Sequence, residues 1–330
     1  MLAISVIAVA VIAFAFLDRF REEQDRPGQL ALSVEESRIS LGYYVDRLNM
    51  LLGGNTSISP EVALGRVTDT IIEEEMVLAF GPELGVSVTP EEIDAELKDR
   101  LGLNEFASDD DGERADRDAP AGPEVEAAAT ALASAIAGGD VFLEAYRSEL
   151  KSTGLSDEEY RRMLQAQLLI SRIRDTFSAQ VPLAAESVRY RLILAKDNAT
   201  ADEIIARVGA GEDFAALAVQ QSQDSRTKAA GGDAGWAAKG ALTQDLEVLL
   251  FSLQVGRLEK LPSSNGIFIY QVLEKAESRE IEENQRKAVA SRSYQTWLDG
   301  KRQSVQITND LDLVDGDAGK LQWVVRKVYG

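Results

Sequence analysis

The 330-residue sequence contains no cysteine and no histidine. Without cysteine there are no disulfides, thiolate metal sites or cysteine nucleophiles, and no N-terminal Cys to carry a lipid. Without histidine, Ser-His-Asp and Cys-His catalysis and the usual zinc sites fall away. Carboxylates, Lys, Tyr and Ser remain as acid–base groups, so most enzyme classes are disfavoured. Positive charge is also short: Lys and Arg number 35 against 55 Asp and Glu, a net charge of −20. That balance argues against a nucleic-acid partner, which needs clustered Lys and Arg, and against a surface lying on anionic lipid. Hydrophobic content of 45% excludes wholesale disorder. The length fits about two domains at roughly 150 residues each. Nothing in the composition calls for a cofactor or a metal.

Residues 1–17, MLAISVIAVAVIAFAFL, carry no charge, Gly or Pro. As a helix they would reach about 25 Å, and Phe20 extends the span if Asp18 and Arg19 snorkel. A bilayer core is roughly 30 Å thick. No basic n-region and no A-x-A-like site accompany the run, so residues 1–20 read as an uncleaved transmembrane anchor, with a cleaved signal or a buried helix as alternatives. Arg19, Arg21 and Arg26 follow the run. Read literally, the positive-inside rule would hold the body in the cytoplasm, against the extracytoplasmic placement reached below.

Three segments open with helix-start signals: Ser59-Pro60-Glu61, the capping box Thr89-Pro90-Glu91-Glu92, and the capping box Ser156-Asp157-Glu158-Glu159. Ile93, Leu97 and Leu101 share one helical face, as do Val67 and Ile71, and Tyr160, Met163, Leu164, Leu168 and Ile173 line another. A further helix is expected over about 280–301, with Ile281, Val289 and Trp297 on its apolar side. Residues 104–140 hold ten acids against Arg114 and Arg117. Asp109, Asp110 and Asp111 lack calcium-loop spacing, so this insertion reads as a solvated loop and not a metal site.

From Val188 the texture changes. SVRYRLILA reads as a strand, ATADEIIARVGAGEDFAALAVQQS as two short helices, GGDAGWAAKG as a turn, TQDLEVLLFSL as a helix, and GRLEKLP and NGIFIYQVLEK as two strands. That order predicts a compact α+β domain. SVQIT through LQWVVRKV is expected to supply two short edge strands.

Residues 186–277 resemble the parvulin (PpiC-type, rotamase) peptidyl-prolyl isomerases. VRYRLILA is similar to that family's opening strand, VRARHILV. GEDFAALAVQQSQDSRTKAAGGDAGW resembles its G-x-D-F-x-x-L-A…S-x-D…GGDLGW block. ALTQDLEVLLFSLQVGRLEKLPSS resembles the helix and G-x-x-S-x-P-V turn, and NGIFIYQVLEK the closing GYHIIKV. The flanking helices resemble the SurA and PrsA type of chaperone, in which the isomerase is inserted into a helical module that holds unfolded clients. The resemblance implies an α+β fold: a transmembrane anchor at 1–20, and a helical chaperone-like module at 21–185 with the acidic insertion at 104–140. A parvulin-like domain follows at 186–277, then a helix at 278–303 packing back on the module, and a tail at 304–330.

The resemblance also implies site residues, with departures. The family's two histidines align with Leu192 and Phe268, where an apolar contact replaces a hydrogen-bond network. The acidic-or-Cys position is Asp224, although Gln223-Asp224-Ser225 also has turn composition. Pocket positions usually large correspond to Ala234, Ala237, Leu242 and Leu246, leaving a wide pocket unless Trp236 fills it, and Ser263 and Asn265 take the polar rim. Gly231, Gly232 and Gly235 read as backbone turns. The implied function is an extracytoplasmic foldase or chaperone, membrane-anchored through its N-terminal helix. It would bind unfolded or proline-containing polypeptide, with weak or residual prolyl isomerase activity. The rival is a non-catalytic chaperone or peptide-binding scaffold with a degenerate parvulin domain. Oligomeric state is not legible.

Overall fold

The computed structural model describes residues 25–55, 57–103 and 141–330. The expected anchor at 1–20 and the acidic insertion at 104–140 lie outside the described residues. Among the described residues no helix is long and apolar enough to cross a membrane. The chain divides into two compact units, Met1–Arg172 with Gly300–Gly330, and Ile173–Asp299.

In the first unit, β1 (Leu30–Val34) and β2 (Ser37–Ser40) form an antiparallel hairpin, and the strand Ile307–Asn309 pairs on the other side of β1. Helix α1 (Leu41–Leu52) starts where Ser40 Oγ accepts from the Tyr43 amide and stops at Gly53 in the left-handed region. Helix α2 (Pro60–Phe80) has Pro at its first position. Helix α3 (Pro90–Arg100) has the full Thr89–Glu92 capping box. Residues 141–153 form α4, and α5 (Asp157–Gln180) opens on reciprocal Ser156–Glu159 bonds. The expected apolar faces meet: Ile93, Leu97, Tyr146, Leu155, Tyr160, Met163 and Leu164 make one buried cluster.

A charged pair is sealed between α1 and α2. Arg47, 7% exposed, donates two bonds to Glu74, 3% exposed, at 2.5 and 2.8 Å, and a third at 2.6 Å to the Tyr43 hydroxyl. Burial alone would favour the neutral guanidine, but the bonds Arg47 donates to Glu74 outweigh it and hold Arg47 charged. Neither charge was marked for burial by its place in the sequence.

The chain's end differs from the expected pair of strands. Ile307–Asn309 is a strand, but Ala318–Tyr329 is a helix. Asp317 caps its Gly319 and Lys320 amides, and its apolar residues Leu321, Val324 and Val328 recur at helical spacing, with Trp323 and Val324 buried.

In the second unit, β3 (Ala184–Ala195), β4 (Asp233–Ala238), β5 (Leu258–Ser263) and β6 (Gly266–Glu280) form one antiparallel sheet in the order β4-β3-β6-β5. Helices α6 (Asn198–Gly209) and α7 (Phe214–Gln221) cover one face, where Ile193, Ala195, Ile204, Phe214, Leu217 and Ile269 are buried together. Helix α8 (Gln244–Ser252) lies on the other face, anchored by the fully buried Leu250. Strand β4 lies where only a turn is expected from GGDAGWAAKG. The turns are confined to Gly231-Gly232 and Lys239-Gly240, and pairing to Ser187–Arg191 draws the six residues between them into the sheet. Gly232 has φ 83°, and a Cβ there would sit 2.4 Å from the Leu192 carbonyl oxygen, so this close approach demands glycine. Helix α9 (Glu283–Ser304) begins a few residues later than expected. Its buried stripe is Ala290, Tyr294 and Leu298, while Val289 and Trp297 are half-buried and Ile281 is buried ahead of the helix.

Asp46 on α1 presses against the turn at Gly154, where a Cβ would stand 2.6 Å from its Oδ1, and has no hydrogen-bond or ion-pair partner among the described residues. Burial, with the Glu159 charge second, pushes its pKa from 3.8 up to about 6. A carboxyl whose folded pKa is raised stabilises the fold only below its unfolded value, and that contribution is lost as pH rises through about 6. Asp46→Asn should therefore stabilise the protein at about pH 8 by about 1 kcal/mol after solvent screening, and by nothing at about pH 4. Denaturant titrations at both pH values check this; an equal effect at both would contradict it.

Candidate functional site

The site is built on the face of the sheet that α8 covers. Strand alternation sends residues 188, 190 and 192 of β3 and 268, 270 and 272 of β6 to this face, and 189, 191 and 193 to the other. Register places Leu192 opposite Tyr270 and Leu194 opposite Phe268. Val188, Leu192, Ala237, Leu250, Tyr270 and Val272 are buried here, with Tyr190, Ala234, Leu242, Leu246, Leu261 and Phe268 packed half-buried around them. The Phe268 and Tyr270 rings stack at 5.7 Å, and the Tyr190 and Tyr270 rings lie 6.1 Å apart. The result is an apolar floor with a rim of half-buried leucines.

Of the residues expected at the site, Leu192, Phe268, Ala234, Ala237, Leu242 and Leu246 come together in this one cluster. Leu192 faces Tyr270 directly, and Phe268 is its diagonal neighbour. Trp236 does not join them. It sits between Gly235 and Ala237 and pairs with Arg189, so its ring takes the opposite face, with the Arg279 guanidinium 5.0 Å from the ring centre. On that face Arg189 bridges Asp233 at 2.7 Å and Glu274 at 3.1 Å. Trp236 therefore does not fill space beside Ala234 and Ala237 on the α8 face. Ser263 and Asn265 are exposed in the β5–β6 hairpin, where Ser263 Oγ donates to the Gly266 carbonyl at 2.9 Å and accepts from the Asn265 amide at 3.2 Å.

Asp224 is 7% exposed. It lies in a turn tied to β3, since Ser222 Oγ accepts from the Leu194 amide and the Gln223 amide donates to the Leu194 carbonyl. Its carboxylate accepts from the Thr227 hydroxyl at 2.6 Å and the Thr227 amide at 3.1 Å, with Arg226 Nε at 3.4 Å. Burial works to raise its pKa. The Thr227 bonds and the Arg226 charge outweigh burial and hold it below the usual carboxylate range. Both meanings of the QDS segment are thus present in one side chain: it forms the turn, and its charge is felt by the Tyr190 and Tyr270 phenols.

Those two tyrosines are the site residues that the expected set omits. Burial, followed by the neighbouring Tyr190 and the Asp224 charge, pushes Tyr270 up to about 12, so it is a neutral O–H donor at physiological pH. Burial likewise raises Tyr190. The signal was available: period-two alternation in RYRLIL and IFIYQV puts 190 with 192 and 268 with 270 on one face. No group of carboxylates among the described residues is arranged to hold a metal ion.

Residues 186–276 match the model of the PPIC-type PPIase domain. The chain carries a PPIC-type peptidyl-prolyl isomerase domain. The foldase protein PrsA of Geobacillus sp. (strain WCH70) is 37% identical over 97 residues, 29% of this chain and 35% of that protein. The chaperone SurA of Albidiferax ferrireducens is 38% identical over 100 residues, 30% of this chain and 22% of that protein. The chain thus spans about a third or less of the length of these relatives. The solved structure of the peptidylprolyl isomerase PrsA from Bacillus anthracis is 20% identical, covers 78% of this chain and 95% of that one, and has a TM-score of 0.40.

Within the PPIC-type domain, Asp224 has a structural task that is separable from any contact with substrate. Asp224→Ala leaves the buried Thr227 amide and hydroxyl without their acceptor and should cost about 1–3 kcal/mol. A depressed carboxylate pKa gives stability that is present above the unfolded value and lost as pH falls through the folded one. The deficit of the variant should therefore be full at neutral pH and shrink in acid. Thermal melts of wild type and variant across acid and neutral pH measure it; a variant as stable as wild type at neutral pH would refute the turn-holding role.

Proposed function

We propose that the chain is a folding factor that binds unfolded, proline-containing polypeptide and speeds X–Pro isomerisation weakly, with the apolar floor under α8 as the proline site. In this reading residues 1–20 anchor the protein to a membrane, the body works outside the cytoplasm, and the helical unit holds clients without a cofactor. The observation that carries it is the coincidence of the PPIC-type match with one continuous apolar face that gathers Leu192, Phe268, Leu242 and Leu246 beside the charge of Asp224.

The chemistry needs no covalent step. Uncatalysed rotation crosses a barrier of about 18–20 kcal/mol. A site that holds the proline ring against Leu246 and Phe268, and favours the twisted amide over the planar one, lowers that barrier by differential binding. With Leu192 and Phe268 in place of histidines, the hydrogen-bond network under the amide is absent. Each lost bond of about 1 kcal/mol slows the rate several-fold. The small side chains of Ala234 and Ala237, where the resemblance expects large ones, weaken the grip further. The activity is therefore expected to be low.

One set of observations favours the rival, a non-catalytic peptide-binding module: both histidine positions are apolar and Trp236 faces away from the cleft. Exchange NMR of a proline tetrapeptide with the full chain separates the two. A conversion rate above background, lowered several-fold by Leu246→Asp at the cleft rim, is expected. A rate equal to background would remove the enzyme. Suppression of client aggregation by the same protein would then leave the binding module standing.

A further inference from the structure

The apolar floor under α8 contains two hydroxyls that no described residue uses. Buried tyrosines nearly always place their O–H on a partner, because an unpaired polar tip away from water is costly. Tyr44 and Tyr146 do so here: Tyr44 bonds the Leu64 carbonyl at 2.9 Å and Tyr146 the Asp157 carboxylate at 2.8 Å. Tyr270 is 5% exposed overall, yet neither its hydroxyl nor that of Tyr190 has a hydrogen-bond partner among the described residues. Neither hydroxyl is among the sealed, unpartnered atoms of the described residues, which are Gln285 Oε1 and Trp323 Nε1. The rings are therefore packed into the floor while their tips reach solvent.

Their position is what makes this useful. Tyr270 lies directly across from Leu192, one of the two positions where the resemblance expects a histidine, and its ring stacks on Phe268, the other. The Tyr190 ring is 6.1 Å from that of Tyr270, and both phenols feel Asp224 and Arg226. A planar X–Pro amide offers no acceptor at nitrogen, because the lone pair is delocalised into the carbonyl. Once the bond twists, that lone pair is localised on nitrogen and accepts a hydrogen bond. A phenolic O–H beside it therefore binds the twisted state better than the planar one, which is the condition for catalysis.

We propose that Tyr270, assisted by Tyr190, is the hydrogen-bond donor to the proline amide in this cleft, standing in for the donors lost at Leu192 and Phe268. This rests on the isomerase reading above, and it assigns that reaction its polar group. No atom is transferred: the phenol keeps its proton, and only the amide C–N bond rotates.

Tyr270→Phe removes one oxygen and keeps the ring in its stack. Because the hydroxyl has no partner among the described residues, the melting temperature should stay at or slightly above that of wild type. In exchange NMR with the full chain and a proline tetrapeptide, Tyr270→Phe should lower kcat/KM about tenfold, mostly through kcat. Tyr190→Phe should lower it less, and the double variant more than either. A wild-type rate above background with Tyr270→Phe unchanged would overturn this assignment and leave the isomerase reading intact. A wild-type rate at background would overturn both. A loss of rate accompanied by a fall in melting temperature would also overturn it, since it would show the hydroxyl to be a structural bond.

Discussion

The antiparallel ladder between β3 and β6 is the constraint on which the second unit depends. It runs the length of β3 and fixes which residues face which way. Because strand side chains alternate, a slip of one residue would exchange the two faces entirely. In the register observed, Ile193 and Ile269 are fully buried against α6 and α7, whereas Leu192 and Tyr270 face α8. The close approach of Gly232 to the Leu192 carbonyl brings β4 alongside. The turn through Ser222 and Asp224 hangs from Leu194 on the same strand. The apolar face under α8, the charge beside it and its two phenols are thus all consequences of how one strand is paired.

Much of this was legible. The capping boxes at Thr89 and Ser156 form as written, since both partners of each box lie within one local turn. The alternating runs RYRLIL and IFIYQV become the two central strands. What could not be read locally is what depends on another strand or helix. The direction of Trp236 follows from its pairing with Arg189 and from the register shift in β4 beside Asp233, neither of which GGDAGWAA announces. The buried Arg47–Glu74 pair joins two helices across 27 positions of sequence, and each residue alone has the polarity of a surface position. The helix at Ala318–Tyr329 was hidden because LQWVVRKV is rich in β-prone residues, and its burial at Trp323 and Val324 overrides that preference.

The absence of histidine shapes the chemistry. A site of this type without imidazole must find its polar groups among carboxylates and phenols, and both are present at the α8 face of the sheet. Asp224 is already committed to the Thr227 turn, which limits what it can give a substrate. The Tyr190 and Tyr270 phenols have no such commitment among the described residues. In the function proposed above, the labour is divided between a carboxylate that sets the local field and hydroxyls that make the bonds, on a floor whose apolar residues grip.

The central claim is that client proline binds on the α8 face of the sheet. Titrating the isotopically labelled full chain with a proline-containing peptide and following chemical shifts tests it most directly. The account predicts perturbations at Tyr190, Leu192, Leu246, Phe268 and Tyr270, with Arg189 and Trp236 unmoved. Shifts centred on Arg189, Trp236 and Arg279 instead, with the Leu192–Tyr270 face silent, would contradict it.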